Sequence, residues 1–149
     1  MSTLKTINII HPSGSTNNMV NDSSGNVTVG GNLTPSKGIV PRVTSTTSGS
    51  SVTVDPSAAD EYVWTALAAT LTFNASTTGS PTNGVKLIFR IKDNGTPQTL
   101  TWTTTGAGSF RAVGVTLPTT TTASKVTYVG CIYNSTESYW DVVAVVTQA

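Results

Sequence analysis

The sequence feature that most constrains the fold is an alternation of apolar and polar side chains over residues 85–92, which read VKLIFRIK. Successive side chains of an extended strand point to opposite faces, so this period of two predicts a strand with one buried face. The apolar face would carry Val85, Leu87, Phe89 and Ile91, and the basic residues Lys86, Arg90 and Lys92 would lie mainly on the other face.

A turn signal follows this strand directly. Asn94-Gly95 is typical of two-residue hairpin turns, because both turn positions need a positive φ. We therefore expect an antiparallel hairpin over residues 85–103, in which Leu100 and Trp102 of the return strand face the same core as Phe89.

Further strand candidates recur along the chain at short intervals, separated by turn residues rich in Gly, Asn, Ser and Pro. A helix over residues 56–69 is the main rival interpretation, because that stretch is rich in alanine, but Val63, Trp64 and Thr65 weigh against it. The pattern predicts an all-β fold, an antiparallel β-sandwich or jelly-roll-like domain. The candidates are residues 52–54, 62–67, 70–74, 110–117, 125–133 and 139–147.

The composition favours β-strands and argues against nucleic acids and membranes as partners. Only 10% of the residues are charged, against roughly 25% in typical soluble domains, and β-branched residues are frequent. The net charge of +1 comes without any basic run, so we expect no nucleic-acid partner. No apolar stretch approaches the roughly 20 residues that span a bilayer, so we expect no membrane partner. The N-terminus lacks the pattern of a signal peptide, which predicts synthesis in a cytoplasm.

The chain divides by composition into two parts. Residues 1–41 hold few large apolar residues and read as an extended N-terminal arm and linker, whereas residues 42–149 read as the β-domain. Strand-like segments in a polar arm are suited to join the sheet edge of another chain. The predicted partner-binding residues of the arm are Leu4, Ile7, Ile9, Ile10, Val27 and Val29.

The residues that carry most enzyme chemistry are sparse. The single histidine, His11, is far in sequence from the single cysteine, Cys131, which its apolar neighbours mark as a core residue. Only Asp60–Glu61 and Glu137–Asp141 bring two carboxylates near each other in sequence, and no cluster of metal-ligand residues occurs. We therefore expect a protein that is not an enzyme, with no catalytic residue, no cofactor and no bound metal.

Seven aromatic residues leave two interpretations open. They could form a stacking platform for sugars, as in a carbohydrate-binding module, or they could pack the interior of the β-domain. Most of them alternate with Val, Leu or Ile, which favours the interior. They are Tyr62, Trp64, Trp102, Tyr128, Tyr133, Tyr139 and Trp140.

Several segments resemble bacteriophage virion proteins, notably tail-fibre and head-decoration proteins of cyanophage type. In the arm these are INIIHPSG from residue 7 and DSSGNVTVGGNLT from residue 22. In the second part they are KLIFRIKDNGTPQTLTW from residue 86, FRAVGVTLP from residue 110 and YVGCIYNSTESYWDVVAV from residue 128.

This resemblance implies a non-enzymatic virion component that forms a homotrimer or another oligomer. A compact domain behind an arm, without repeats or heptads, suits a capsid decoration or cement protein whose partners are the major capsid protein and sister copies. The expected location is then the capsid surface. A tail fibre or adhesin that binds a host-surface glycan is the second interpretation, and a free carbohydrate-binding module is the third.

Overall fold

A computed structural model describes residues 7–10, 17–21, 23, 27–30, 32–36 and 38–149. These residues form β-strands and no helix, so the predicted all-β class is confirmed and the rival helix over residues 56–69 is wrong. The chain divides into two compact units, Met1–Val40 and Pro41–Ala149. The strands are β1 (Ile7–Ile10), β2 (Asn17–Asn21), β3 (Val27–Val29), β4 (Val43–Thr46), β5 (Ser51–Thr53), β6 (Glu61–Leu67), β7 (Leu71–Asn74), β8 (Lys86–Asp93), β9 (Leu100–Trp102), β10 (Ser109–Ala112), β11 (Val126–Asn134) and β12 (Tyr139–Thr147).

The first unit contains a three-stranded antiparallel sheet in the order β1-β2-β3. β2 is the central strand, with Ile7 opposite Asn21 on one side and Val29 opposite Met19 on the other. The segment predicted to be an extended arm therefore includes a small sheet of its own. β1 and β3 are its edge strands, and each pairs with β2 alone among the described residues.

The second unit contains two sheets. The larger has six strands in the order β10-β12-β11-β8-β6-β4, and the smaller has three in the order β5-β7-β9. From β4 to β10 the chain alternates between the two sheets. Each of these strands therefore lies beside the next but one in the order of strands along the chain. Such neighbours run parallel, as β4, β6 and β8 do in the larger sheet and β5, β7 and β9 do in the smaller one.

The prediction of an antiparallel domain is therefore wrong for much of this unit. Antiparallel pairing links only β8, β11 and β12, whereas β10 joins β12 in parallel. The physical reason is that consecutive strands cross from one sheet to the other instead of turning back within one sheet. Sequence periodicity reports which side of a strand is buried, but it does not report which strand lies beside it.

The predicted hairpin over residues 85–103 is also wrong. β8 pairs with β6 and β11, while β9 lies in the other sheet beside β7. The turn after β8 is held by the buried carboxylate of Asp93. It accepts hydrogen bonds from the Gly95 amide at 2.9 Å, the Thr121 hydroxyl at 2.7 Å and the Ser124 amide at 2.8 Å. These bonds tie the Asn94-Gly95 turn to residues 121–124 rather than to a returning strand.

The core of the second unit is aromatic and draws on both sheets. Phe89 of the larger sheet is fully buried, with its ring centroid 5.0 Å from that of Phe73 and 5.9 Å from that of Trp102, which lie in the smaller sheet. Phe73 and Trp102 stack nearly parallel at 3.8 Å. Leu87 and Leu100 are buried in the same cluster, so the predicted core residues do meet although the hairpin does not form.

The strand predicted over residues 110–117 is shorter than expected. β10 ends at Ala112, and Gly114 follows with a φ of 70°. A left-handed backbone does not continue the strand, so the chain leaves the sheet there. The following segment reaches the Trp102 indole, whose N–H donates to the Pro118 carbonyl at 2.7 Å. The other strand candidates of the β-domain are observed with shifts of one or two residues at most.

We predict that Phe89→Ala lowers the free energy of unfolding by about 3–5 kcal/mol, because the cavity it leaves would be lined by rigid rings from both sheets. Ile88→Ala is the matched control on the opposite face of β8, where the side chain is exposed, and should cost less than about 1 kcal/mol. Equilibrium denaturation of both variants measures this. Similar losses for the two variants would contradict the assignment of faces.

We further predict that Asp93→Ala costs about 1–3 kcal/mol, because it removes the acceptor of three hydrogen bonds in a buried place. Burial alone would raise the pKa of Asp93, but the bonds from Thr121, Ser124 and Gly95 outweigh it and lower that pKa. A lowered pKa stabilises the fold fully above about pH 4, and this contribution is lost as the pH falls further. In thermal melts at a series of pH values, the difference in melting temperature between wild type and Asp93→Asn should become smaller as the pH falls. A difference that does not change with pH would contradict this prediction.

Candidate functional site

Each described carboxylate already has a structural partner. Asp60 accepts two hydrogen bonds from the Arg42 side chain, at 2.7 Å and 3.1 Å, and one from the Arg42 amide. These bonds lower the pKa of Asp60. Glu61 Oε1 lies 3.0 Å from Arg90 Nε, and that contact lacks hydrogen-bond geometry. Asp55 caps the turn at Ser57, whose hydroxyl and amide both donate to it.

The second predicted carboxylate pair shares one arginine. Arg111 Nη2 lies 2.7 Å from Glu137 Oε2, and Arg111 Nε donates to Asp141 Oδ1 at 2.8 Å. The hydrogen bonds to Asp141 and then to Glu137 raise the pKa of Arg111. The guanidinium also lies 4.9 Å from the centre of the Tyr139 ring. Because both carboxylates bind a permanent cation, the arrangement resembles a structural ion-pair network more than an acid and base pair.

The cysteine and most of the aromatic residues are interior groups. Cys131 is 2% exposed, and burial raises the pKa of its thiol. The prediction that Cys131 is a core residue is confirmed. Five of the seven aromatic residues lie in or against the core, which confirms their predicted interior role, and only Tyr128 presents a largely exposed ring. The five are Tyr62, Trp64, Trp102, Tyr133 and Trp140.

Among the described residues, large apolar side chains are exposed in two regions. The first lies in residues 19–40 and includes Ile39 and Val40, which are 76% and 86% exposed. The second surrounds β12. Exposed apolar side chains that form a contiguous patch can mark a place where another chain binds. The first group is Met19, Val27, Leu33, Ile39 and Val40, the second is Ile88, Val113, Tyr128, Val143 and Val146, and Val43 of β4 is exposed apart from both groups.

The residues predicted to bind partners fall in the small sheet, except for one. Ile7, Ile9 and Ile10 belong to β1, and Val27 and Val29 belong to β3, so the two groups occupy the two edge strands rather than one continuous segment. Val27 is exposed and Val29 is half-buried. Leu4 and His11 lie outside the described residues. Sequence reasoning missed Ile39 and Val40, although adjacent apolar residues between two prolines could have pointed to them.

The outer face of the larger sheet, which is the face turned away from the core, holds a shallow cavity of about 330 Å³. Its floor includes Val63 and Val126, and its rim includes the basic side chains of Arg90 and Lys92. Glu61 lies 3.0 Å from Arg90 Nε, so the charge of Arg90 is already balanced by a carboxylate of the same sheet. No group of three or more His, Cys, Asp or Glu residues that could hold a metal ion occurs in the described part of the chain.

Comparisons with known proteins add no assignment: a scan against protein-family models, a search of curated proteins and a search of solved structures each found no match. Within the described ranges, no helix is long and apolar enough to cross a bilayer.

We predict that the purified protein does not hydrolyse glycans, and that Glu137→Gln and Asp141→Asn each change its stability by less than about 1 kcal/mol. Both carboxylates are partly exposed and share Arg111, so solvent screening limits what either one contributes. Turnover assays on polysaccharides and chemical denaturation measure the two effects. Glycan turnover that Glu137→Gln or Asp141→Asn abolishes would contradict the structural role.

Proposed function

We propose that this chain is a non-enzymatic structural protein of a bacteriophage virion, and specifically a capsid decoration or cement protein. The observation that carries the proposal is the exposure of Leu33, Ile39 and Val40. The segment before the β-domain therefore leaves large apolar side chains in contact with water, which is unfavourable. Each such side chain gains about 1.5–3 kcal/mol when it is fully buried. Burial against a neighbouring protein would supply that gain.

In this proposal the two parts of the chain have different tasks. Residues 1–41 are the arm that binds neighbours, and residues 42–149 are a sandwich-like knob that projects from the capsid. Support for an independent knob comes from the core, because every residue of the buried cluster belongs to the second unit. The resemblance to head-decoration proteins supports the location on a capsid.

Strand addition is the binding mode that the small sheet favours. β1 and β3 each have one edge without a strand among the described residues, so another chain could pair with either. Main-chain hydrogen bonds would give affinity, and alternate side chains would fix the register. The side chains assigned to this role are Leu4, Ile7, Ile9, Ile10, Val27 and Val29, and the partners are the major capsid protein and sister copies, as in a homotrimer.

A tail fibre or adhesin is the second candidate. The cavity lined by Lys92, Val63 and Val126 favours it, since one basic side chain beside apolar ones could hold an acidic sugar of a host-surface glycan. The charge of Arg90, which also lines it, is already balanced by Glu61. A free carbohydrate-binding module ranks below both, because most of the aromatic side chains that it would need are interior.

We predict that a variant without residues 2–34 remains folded but no longer joins particles. The fold should survive because the whole aromatic core lies in the second unit. Thermal melting tests the fold, and co-sedimentation with capsids that lack the protein tests the attachment. The matched control is Val43→Ser in the full chain, which removes one exposed apolar side chain at the start of the β-domain and should leave attachment intact.

Two outcomes would contradict the proposal in different ways. If the truncated protein binds capsids as well as the full chain, the binding surface lies in residues 35–149, which include Ile39 and Val40, and not in the strands of the arm. If neither form binds capsids but both bind host cells, the tail adhesin is the better assignment.

A further inference from the structure

The sequence contains two Asn-Gly pairs, Asn83-Gly84 and Asn94-Gly95, and both lie in exposed turns of the β-domain. An asparagine deamidates most readily when glycine follows it, because glycine has no side chain that would keep its amide nitrogen away from the asparagine. Gly84 and Gly95 have positive φ values of 84° and 99°, which glycine adopts without strain. Sequence and exposure therefore mark both asparagines as chemically vulnerable.

The reaction begins at the main chain. The amide nitrogen of the glycine loses its proton and attacks Cγ of the asparagine side chain. A bond forms between these two atoms, the bond from Cγ to Nδ2 breaks, and ammonia leaves with the proton that the glycine nitrogen lost. Water then opens the resulting cyclic imide at either carbonyl group, which leaves aspartate or isoaspartate. A glycine N–H that already donates a hydrogen bond resists the first step, since that bond must break before the nitrogen attacks.

At Asn94 the first step is opposed by the preceding residue. The Gly95 N–H donates to Asp93 Oδ1 at 2.9 Å. The Asp93 side chain is buried and accepts two further hydrogen bonds from residues 121–124, so it does not move freely with the turn. Its negative charge beside the N–H also makes loss of the amide proton less favourable. The Thr96 amide donates to Asn94 Oδ1 at 3.2 Å, which restrains rotation of the asparagine side chain.

At Asn83 the same step is opposed by a different group. The Gly84 N–H donates to the Tyr133 carbonyl at 2.9 Å, and the Ser135 amide donates to Asn83 Oδ1 at 3.2 Å. Tyr133 belongs to β11 and is buried, so these bonds hold the pair against the end of a central strand. The two Asn-Gly pairs therefore share their sequence, their exposure and an occupied glycine N–H. They differ in the acceptor, which is a side-chain carboxylate in one case and a main-chain carbonyl in the other.

We propose that Asn83 and Asn94 are sites of spontaneous deamidation that the folded β-domain keeps closed, and that Asp93 is the group that protects Asn94. Deamidation to isoaspartate would change the turn permanently, because it lengthens the main chain between Asp93 and Gly95 and moves the N–H away from its acceptor. The inference concerns the β-domain alone and does not depend on the proposed capsid location or on the arm.

The wild-type protein tests the protection at both sites. The full chain is incubated at mildly alkaline pH, either folded in buffer or unfolded in guanidinium chloride, and peptide mapping by mass spectrometry follows the conversion of each asparagine. In the folded chain Asn94 should convert at least about tenfold more slowly, the factor that one hydrogen bond to a charged acceptor contributes. Asn83 should also convert more slowly. Equal rates in buffer and in denaturant at either asparagine would overturn the proposal.

The variant Asp93→Ala tests the role of Asp93, with Asn83 of the same chain as the internal control. Asn94 should convert at least about tenfold faster than in the folded wild type, because its glycine N–H has lost a charged acceptor, while Asn83 keeps its wild-type rate. Asp55→Ala is the matched variant, since it removes another carboxylate that holds a turn, and it should leave both rates unchanged. An Asn94 that stays as slow in Asp93→Ala as in the wild type would show that Asp93 is not the protecting group.

Amide hydrogen exchange of the wild type decides the matter if Asp93→Ala unfolds and both asparagines accelerate together. The Gly95 N–H should exchange more slowly in the folded chain than in the unfolded one by at least the factor that slows the deamidation of Asn94, because both reactions require the bond to Asp93 to open. A Gly95 N–H that exchanges in the folded protein as fast as in the unfolded chain would overturn the assignment of Asp93.

Discussion

The contact on which the rest of this structure depends is that of Phe89 with the aromatic rings of both sheets. Phe73 and Trp102 stack on each other in the smaller sheet, and Phe89 meets both rings from the larger sheet. The second unit has no helix that could cover either sheet, so its two sheets bury their apolar faces against each other. The chain achieves this by crossing between the sheets at every step from β4 to β10, which makes neighbouring strands parallel.

Because the two sheets close this core, the apolar side chains of the second unit that lie outside it are a separate feature of its surface. Most of the large apolar residues of the second unit are buried, so the exposed ones around β12 are not part of a loosely packed interior. The carboxylates are engaged as well, with Arg111 holding both Glu137 and Asp141. The described surface therefore offers sheet edges and exposed apolar side chains.

The sequence predicted which face of a strand is buried better than it predicted which strands lie side by side. The alternation in residues 85–92 correctly identified Leu87, Phe89 and Ile91 as core residues, and the last two strands were found almost to their ends. The Asn94-Gly95 turn was misleading, because the buried carboxylate of Asp93 ties it to residues 121–124, far away in the sequence. The exposed pair Ile39 and Val40 carried no period, so only their position between Pro35 and Pro41 could have pointed to them.

Our proposal that the chain is a capsid decoration protein is tested most directly by electron cryo-microscopy of an intact particle that carries it. We expect the β-domain to form a knob on the capsid lattice, with Ile39 and Val40 buried against a neighbouring chain and residues 7–10 or 27–29 extending a neighbour's sheet. A particle that carries the chain with those residues facing solvent, or one in which the β-domain alone makes the contact, would contradict it.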